Sequence, residues 1–335
     1  MKAYVMPPGC KGPEDLRLVE RPDPRPGPGQ VLVKVRAASL NYRDQAAVTG
    51  RYFQQITRDT VPLSDGAGEI IEVGEGVQSL KLGDKVAGTF TQPDPAGPAG
   101  GPLQPMGLPL DGMLTEKIVM HEVGAIKLPE GYSFEEGACL PCAGVTAWNC
   151  LFGVGRPVRP GETVLVLGSG GVSVWGLQFA AAAGCRVIAT TSRDAKAQRL
   201  QALGASEVIN YKTHEDWDQE VMKRTGGRGV DCVVEVGGAG TLQRSYNSLA
   251  RGGKVGLIGV MTQGTSNPHT LMMKGASLHG IFVGGRELFE QMNAAIDANG
   301  IKPVIDKVFP FGDAKAAFAH AMSGDFIGKV VIAIS

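Results

Sequence analysis

The chain has 335 residues, of which 43% are apolar and 20% charged. This composition supplies a full-size core and argues against disorder, and the length favours about two domains. Lys and Arg total 33, as do Asp and Glu, so the net charge is zero. The basic excess of nucleic-acid-binding proteins is therefore missing, and no apolar run of about 18 residues predicts a membrane span.

The start of the chain and the cysteines both indicate a cytoplasmic protein. Lys2, Lys11, Glu14 and Asp15 lie within the first sixteen residues, which contain no apolar run. We therefore expect no secretory signal. Six cysteines are too few for a disulfide scaffold in a chain of this length and predict reduced thiols.

Short apolar runs separated by Gly and Pro are typical of residues 1–127. Three of these runs predict strands at residues 31–37, 68–74 and 85–88. This part therefore predicts a β-rich, barrel-like domain. The Pro- and Gly-rich stretch at residues 91–112 shows no apolar period and predicts a surface loop.

From about residue 160, apolar strands alternate with helical patterns. A buried strand is predicted at residues 164–167, and apolar residues within 172–183 then recur on one helical face. Further strands are predicted at residues 186–190, 205–210, 231–236, 254–260 and 277–283. This alternation predicts an α/β domain with a doubly wound parallel sheet of six strands. Residues 328–334 predict a strand that returns to the first domain.

Glycines follow the first of these strands, where the phosphate-binding turn of a dinucleotide fold begins. The turn contains Gly168, Gly170, Gly171 and Val172. Glycines let the backbone approach a pyrophosphate closely, and the helix N-terminus adds free N–H groups. Ser173 stands where the Gly-x-Gly-x-x-Gly pattern has its third glycine. The strand–helix context favours a dinucleotide site over the alternative, an ordinary glycine-rich turn.

The tip of the next strand selects the nucleotide. NAD sites usually carry Asp or Glu about 20 residues after the glycine turn. Here the chain reads Thr191-Ser-Arg, with no carboxylate at the strand tip. Ser192, Arg193 and Lys196 suit a ribose 2′-phosphate, so we predict NADP(H) as the cofactor. The alternative is that these cations form an ordinary solvated helix face.

Six motifs, in this order, resemble the medium-chain dehydrogenase/reductase superfamily over essentially the whole chain. They are Leu40-Asn-Tyr-Arg-Asp, Leu63-Ser-Asp-Gly-Ala-Gly-Glu, Cys142-Ala-Gly-Val-Thr-Ala, the turn at Gly168, Thr191-Ser-Arg and Gly328-Lys-Val-Val. The pattern is most similar to the zinc-free, quinone oxidoreductase-like branch. The resemblance implies a GroES-like β-rich substrate domain of residues 1–127 and 297–335, a Rossmann domain of residues 128–296, and an active site in the cleft between them.

The resemblance also implies further cofactor contacts, carried over by position. These are Thr146, Tyr211, Gly237, Gly238, Phe282, Val283 and Lys329. The two glycines are expected near the ribose, and Phe282 with Val283 beside the nicotinamide. Similar proteins pair the last strand of this domain across a two-fold axis, so we also predict a homodimer.

Zinc-dependent relatives hold the metal with three protein ligands and an open fourth position. By the resemblance, Asn41, Ser64 and Cys142 occupy those ligand positions here. We therefore expect no zinc, although Asp65 with Cys142 leaves a zinc-dependent alcohol dehydrogenase as an alternative. The pair Cys139-x-x-Cys142 lacks the second pair that a structural zinc site needs, and we interpret it as buried thiols.

Without a metal, hydride transfer needs an activated acceptor such as a quinone or an α,β-unsaturated carbonyl. Asn41 offers an amide donor at the vacated metal position, Asp44 orients Asn41 or Arg43, and Tyr52 donates a proton or lines the pocket. Asn41, Asp44 and Tyr52 are thus the predicted catalytic residues. The alternatives are a structural hydrogen bond for Asp44 and a plain pocket or surface position for Tyr52.

These interpretations predict an NADPH-dependent reductase of a small quinone or carbonyl substrate, with no nucleic-acid or membrane partner. The sequence does not name the substrate. A cofactor-binding protein without significant turnover remains an alternative, because only an activity assay separates the two.

Overall fold

A computed structural model describes residues 1–92 and 104–335. The described strands are β1 (Lys2–Val5), β2 (Arg17–Glu20), β3 (Gln30–Ser39), β4 (Asp65–Val73), β5 (Lys85–Gly88), β6 (Lys117–His121), β7 (Ala125–Lys127), β8 (Thr163–Val166), β9 (Arg186–Thr191), β10 (Glu207–Asn210), β11 (Val230–Glu235), β12 (Leu249–Leu257), β13 (Ser277–Gly280), β14 (Ile305–Pro310) and β15 (Lys329–Ala333).

The described α-helices are α1 (Tyr42–Val48), α2 (Phe134–Gly137), α3 (Val145–Trp148), α4 (Gly171–Ala182), α5 (Ala197–Ala202), α6 (Trp217–Arg224), α7 (Ala239–Ser248), α8 (His269–Lys274), α9 (Arg286–Asn299) and α10 (Ala314–Ser323). Within the described part of the chain, no helix combines the length and the apolar character that a membrane span requires.

The chain divides into two compact units. The first unit is Met1–Val145 with Gly285–Ser335, and the second is Thr146–Gly284. Both borders differ from the sequence-based ones at residues 127/128 and 296/297. The reason is that α2 packs on β3 and β4 of the first unit, while Asn293 on α9 donates from Nδ2 to the carbonyl of Lys127 over 2.9 Å.

The first unit is built on a seven-stranded sheet in the order β14-β15-β3-β4-β5-β7, with β6 also paired to β3. Its pairs are antiparallel except β14 with β15. The last strand of the chain, β15, pairs with β3 through Val331 opposite Ser39. The prediction that this strand returns to the first domain is therefore confirmed.

The segment on either side of residues 93–103 was predicted to be a surface loop. Those eleven residues lie outside the described chain, but the prediction is wrong for Met106 and Leu108, which are each 2% exposed. The guanidinium of Arg43 donates to both of their carbonyls, over 2.7 and 3.1 Å. These bonds satisfy backbone acceptors that would otherwise need water, and so let the segment enter the core.

The second unit contains the parallel sheet that the sequence predicts. Its six strands lie in the order β10-β9-β8-β11-β12-β13, and every pair is parallel. The strand order reverses between β8 and β11. Because parallel strands end at one edge of the sheet, the loops after β8 and β11 emerge side by side there, which is where ligands bind in folds of this class.

Strand β13 is an edge strand, and among the described residues it pairs only with β12. Leu278 on this strand is 38% exposed. Further apolar side chains of the same unit are exposed: Val260, Met261, Met272 and Met273. An apolar sheet edge is a template for pairing with another chain.

We predict a homodimer joined along β13. Leu278→Lys puts a charge on that edge and should shift the mass seen by light scattering at micromolar concentration towards the monomer. Leu82→Lys, at a 64% exposed leucine of the first unit, is the matched control and should leave the mass unchanged. A monomeric unmodified protein would contradict the prediction.

Candidate functional site

The glycine turn joins β8 to α4, as the sequence predicts. Gly168 has φ +80°, in the left-handed region, and Gly170 precedes the helix. A Cβ atom built on either glycine meets nothing within 4 Å, so the turn borders open space. Gly170 supplies no side-chain cap to the first N–H groups of α4, at Gly171 and Val172. Such amides are suited to bind phosphate.

Two hydroxyl groups hold this turn from inside the unit. The N–H of Gly168 donates to Oγ1 of Thr190 over 3.0 Å. Oγ of Ser173 donates to the carbonyl of Leu167 over 2.6 Å, and Ser173 is 2% exposed. Serine therefore replaces the third glycine without an unsatisfied polar atom, because its hydroxyl bonds back to the end of the strand.

The residues predicted to meet a 2′-phosphate lie at the carboxyl end of β9. Lys196 is 8% exposed, and its Nζ donates to Oγ of Ser169 in the glycine turn over 3.4 Å. Ser192 is half-buried and Arg193 exposed. Tyr211 follows β10, and its N–H donates to the carbonyl of the last residue of β9 over 2.9 Å. The structure thus brings these predicted residues to one edge of the sheet, next to the glycine turn.

Gly237 and Gly238 follow β11, across the reversal of strand order. Their N–H groups donate to Oε1 of Glu235, over 2.7 and 3.0 Å. Glu235 is fully buried and also accepts from the hydroxyls of Thr241 and Ser245. The carboxylate therefore shapes this loop from inside. Sequence analysis missed Glu235, although a charged residue at the end of an apolar strand was a signal for it.

The segment after β13 has a strained backbone. Val283 is 8% exposed and has φ +53°, which is rare for a β-branched residue and costs on the order of 1–3 kcal/mol. Nδ2 of Asn149 donates to its carbonyl over 2.7 Å and helps to hold the turn. The neighbouring Phe282 is 45% exposed. Thr146 is buried in α3, and sequence analysis did not identify Asn149.

The predicted catalytic residues Asn41 and Asp44 meet at the start of α1 in the first unit. The N–H of Asn41 donates to Oδ2 of Asp44 over 2.9 Å, the bond of a helix capping box. Asp44 is 2% exposed, and its Oδ1 accepts from Nη1 of Arg43 over 3.3 Å. Asp44 therefore contacts both residues that it was expected to orient, and both of its oxygens face the interior.

The side chain of Asn41 is held at both ends. Nζ of Lys329 donates to Oδ1 of Asn41 over 2.5 Å and to the carbonyl of Leu40 over 2.6 Å. Nδ2 of Asn41 lies 3.5 Å from Oγ of Ser64, which donates to Oδ1 of Asp65 over 2.7 Å. An ammonium group only donates, so the amide oxygen faces Lys329 and the NH₂ group faces away from it. Asn41, Asp44, Ser64, Asp65 and Lys329 are called the Asn41 cluster below.

Lys329 and Tyr52 are the other predicted site residues of this unit. Lys329 is 2% exposed, and the two hydrogen bonds just described use its ammonium within the Asn41 cluster. Tyr52 is half-buried, and its ring lies 4.8 Å from the guanidinium of Arg43 and 4.3 Å from the ring of Phe53. Tyr52 therefore packs beside Arg43 and Phe53 and against the core of the first unit.

A strained turn presents Ser64 and Asp65 to the cluster. Leu63, just before them, is fully buried with φ +71°. Gly112 packs so closely that a Cβ atom there would lie 2.2 Å from the Leu63 carbonyl oxygen. The N–H of Met113 donates to that same carbonyl over 2.7 Å. Only glycine fits at position 112, because a larger residue would displace the turn that positions Ser64 and Asp65.

The donor set of the Asn41 cluster does not fit a catalytic zinc. Asp65 is fully buried, and its oxygens accept from Ser64 and from the N–H of Cys142, the latter over 3.0 Å. Burial, and then the charge of Asp65, hold the pKa of the Cys142 thiol well above its usual range. Lys329 adds a positive charge to the same cluster. Among the described residues, no group of three His, Cys, Asp or Glu side chains is arranged to hold a metal, whereas catalytic zinc needs three protein ligands.

The cysteines support the interpretation of Cys139-x-x-Cys142 as thiols. All six cysteines are free, and five of them are buried; the exception is Cys142, which is half-buried, so the expected burial is confirmed for Cys139 and is only partial for Cys142. Sγ of Cys139 donates to the carbonyl of Glu135 over 3.2 Å, and burial raises the pKa of this thiol to about 12. A thiol with so high a pKa is a poor nucleophile at neutral pH.

The raised pKa of Asp44 should make the stability of the folded protein depend on pH. Burial raises the pKa of Asp44 from 3.8 to about 6, against the opposing effect of Arg43. The folded state then binds the proton more tightly, so the contribution of Asp44 to stability is full below about pH 4 and is lost as the pH rises through 6.

We therefore predict a change in the difference between two unfolding free energies, that of the unmodified protein minus that of Asp44→Asn. The difference should fall by ~2–3 kcal/mol between about pH 4 and pH 7, measured by urea unfolding. Taking the difference cancels the contributions of the other titrating groups to the unfolding free energy. A value independent of pH would show that Asp44 does not titrate in this way.

Known proteins match the chain over nearly its whole length. Residues 27–130 match the family described as alcohol dehydrogenase GroES-like domain, and residues 171–298 match the zinc-binding dehydrogenase family. A zinc-type alcohol dehydrogenase-like protein of Schizosaccharomyces pombe is 42% identical, with 99% of each chain covered. Rat quinone oxidoreductase is 31% identical over 96% of this chain and 94% of its own.

Solved structures show the same architecture. The crystal structure of a putative alcohol dehydrogenase from Sinorhizobium meliloti 1021 is 36% identical, has a TM-score of 0.90 and covers 99% of both chains. The expected GroES-like domain and Rossmann-like parallel sheet therefore agree with these relatives. The chain belongs to the medium-chain dehydrogenase/reductase superfamily of oxidoreductases.

Proposed function

We propose that this protein is an NADPH-dependent reductase of quinones or α,β-unsaturated carbonyls that works without a metal. The observation that carries the proposal is the Asn41 amide, whose NH₂ group is turned away from Lys329 in a cluster that does not fit zinc. The similarity to rat quinone oxidoreductase supports this class of acceptor.

The second unit fits a nicotinamide dinucleotide. The first amides of α4, at Gly171 and Val172, would hold the pyrophosphate, and the open glycine turn leaves room for it. Ser192, Arg193 and Lys196 would hold the 2′-phosphate. The other proposed contacts are Thr146, Tyr211, Gly237, Gly238, Phe282 and Val283. In its reduced form this cofactor supplies the hydride.

Reduction of a quinone or an enone places negative charge on the substrate oxygen. Nδ2 of Asn41 carries two N–H groups, and Oγ of Ser64, at 3.5 Å, accepts at most one of them. The other N–H can donate to the substrate oxygen, where a preorganised donor stabilises the transition state. Delocalised charge needs less stabilisation than an alkoxide, so an amide suffices where alcohol dehydrogenases use a Lewis acid. Tyr52 is the proposed proton source or pocket wall.

The proposed setting is the cytoplasm. Six free thiols without a disulfide are typical of a reducing compartment. The proposed partners are the small-molecule substrate and a second copy of this chain along β13.

The first prediction concerns cofactor preference. NADPH should bind more tightly than NADH, because Arg193 and Lys196 meet the 2′-phosphate. Replacing both by Ala should lower NADPH affinity ~10- to 100-fold and leave NADH affinity nearly unchanged, as measured by calorimetry. Arg199→Ala, at an exposed cation on the following helix α5, is the control. Equal dissociation constants in the unmodified protein would refute the preference.

The second prediction separates the metal-free reductase from a zinc-dependent alcohol dehydrogenase, which the name of the Schizosaccharomyces pombe relative favours. Purified protein should contain far less than one zinc per chain by elemental analysis. Dialysis against a chelator should leave NADPH-linked quinone reduction intact. One zinc per chain, removed together with activity, would establish the alternative.

The third prediction concerns Asn41. Asn41→Ala removes a donor that acts mainly in the transition state, so kcat should fall ~10-fold while the NADPH dissociation constant stays within about twofold. Gln45→Ala, which removes a side-chain amide on α1 itself, should leave both values unchanged. An unaltered kcat in Asn41→Ala, on the best quinone or enone, would remove Asn41 from the mechanism.

A further inference from the structure

We propose that Lys329 is a positioning residue for Asn41, whose buried ammonium orients the amide and strengthens its N–H groups as donors to the reacting oxygen. This inference rests on the proposed function, in which the Asn41 amide is the hydrogen-bond donor, and it adds a residue that acts through Asn41. It differs from the role implied by the family resemblance, in which Lys329 contacts the cofactor.

Strand pairing dictates the contact between these two residues. In the antiparallel pair of β15 with β3, Val331 lies opposite Ser39, and the N–H of Leu40 donates to the carbonyl of Val330 over 3.0 Å. Extended two residues beyond its last pair, the same register sets Lys329 opposite Asn41, the residue just before α1. The strand pairing therefore favours the 2.5 Å bond from Nζ to Oδ1.

The other end of the amide agrees with this orientation. The Ser64 hydroxyl donates its hydrogen bond to Asp65 over 2.7 Å, so the Ser64 oxygen can only accept a hydrogen bond from Asn41. Lys329 requires an acceptor and Ser64 requires a donor, and only one of the two amide rotations satisfies both. A flipped amide would set the NH₂ group against the ammonium and would turn an oxygen towards the developing negative charge.

The charge of Lys329 also strengthens the donor. Hydrogen bonds in a chain polarise one another, and the effect is greatest where the dielectric constant is low. Lys329 is 2% exposed, and its two described acceptors, Oδ1 of Asn41 and the carbonyl of Leu40, are uncharged. The ammonium therefore withdraws electron density from the amide and makes the remaining N–H more acidic.

The test is a double-mutant cycle of Lys329→Met and Asn41→Ala, with kcat measured at saturating NADPH on the best quinone or enone. Each single variant should lose ~10-fold in kcat, and the double variant should be no slower than either, because Lys329 acts only through Asn41. The NADPH dissociation constant should stay within about twofold. Lys329→Arg, which keeps the cation, should recover most of the lost kcat.

The chain offers a matched control in Lys254. This lysine is 6% exposed and donates to the carbonyls of Leu151 and Val154, so Lys254→Met also removes a buried ammonium from two backbone acceptors. It should lower the unfolding temperature as Lys329→Met does, but leave kcat unchanged. Where Lys329→Met does not fold, Lys329→Gln, which keeps an N–H donor without the charge, takes its place in the cycle.

Two results would overturn the inference. One is a Lys329→Met variant whose NADPH dissociation constant rises ~10-fold, with a loss of kcat that persists in the Asn41→Ala background, since Lys329 would then act on the cofactor. The other is an Asn41 side-chain NH₂ signal, assigned by its loss in Asn41→Ala, that does not shift in ¹⁵N spectra of Lys329→Met. The spectra need no turnover, so they test the inference even if the protein reduces no quinone or enone. A failure to reduce either substrate would refute the proposed function alone.

Discussion

The pairing of the last strand, β15, with β3 is the constraint on which the Asn41 cluster depends. It carries Lys329 to the start of α1, where hydrogen bonds to two oxygens help to stabilise the buried ammonium. One of those oxygens belongs to Asn41, so the need to satisfy a buried cation fixes the orientation of an amide. The strained turn at Leu63 and the close packing of Gly112 then supply Ser64 and Asp65 on the other side.

In the second unit, hydrogen bonds from buried side chains fix the loops that follow the strands. Thr190 and Ser173 secure the glycine turn from inside, and Glu235 secures the loop after β11. None of these three side chains needs to touch a ligand to matter. Each bonds to backbone groups of its loop and so helps to fix the loop from inside the unit.

The family names of the relatives include zinc, yet the Asn41 cluster has the chemistry of a hydrogen-bonding site. The thiol of Cys142, which lies beside the cluster, has a raised pKa, the carboxylate of Asp65 is bonded internally, and Lys329 adds a cation. By the family resemblance, an amide, a hydroxyl and a thiol stand at the three metal-ligand positions of zinc-dependent relatives. On the proposed function, this change of residues favours acceptors that delocalise charge over alcohols.

The sequence by itself determined the parallel sheet and the glycine turn, because apolar period and turn residues act over a few neighbouring positions. Strand β5, for example, has the predicted bounds Lys85–Gly88. The tertiary structure alone decided that Met106 and Leu108 are buried, that α2 and α9 belong to the first unit, and that Glu235 and Asn149 hold the loops. It also decided that Lys329 bonds to a residue 288 positions away. Such contacts satisfy buried polar groups across strands and turns, and no local pattern records which distant atom completes them.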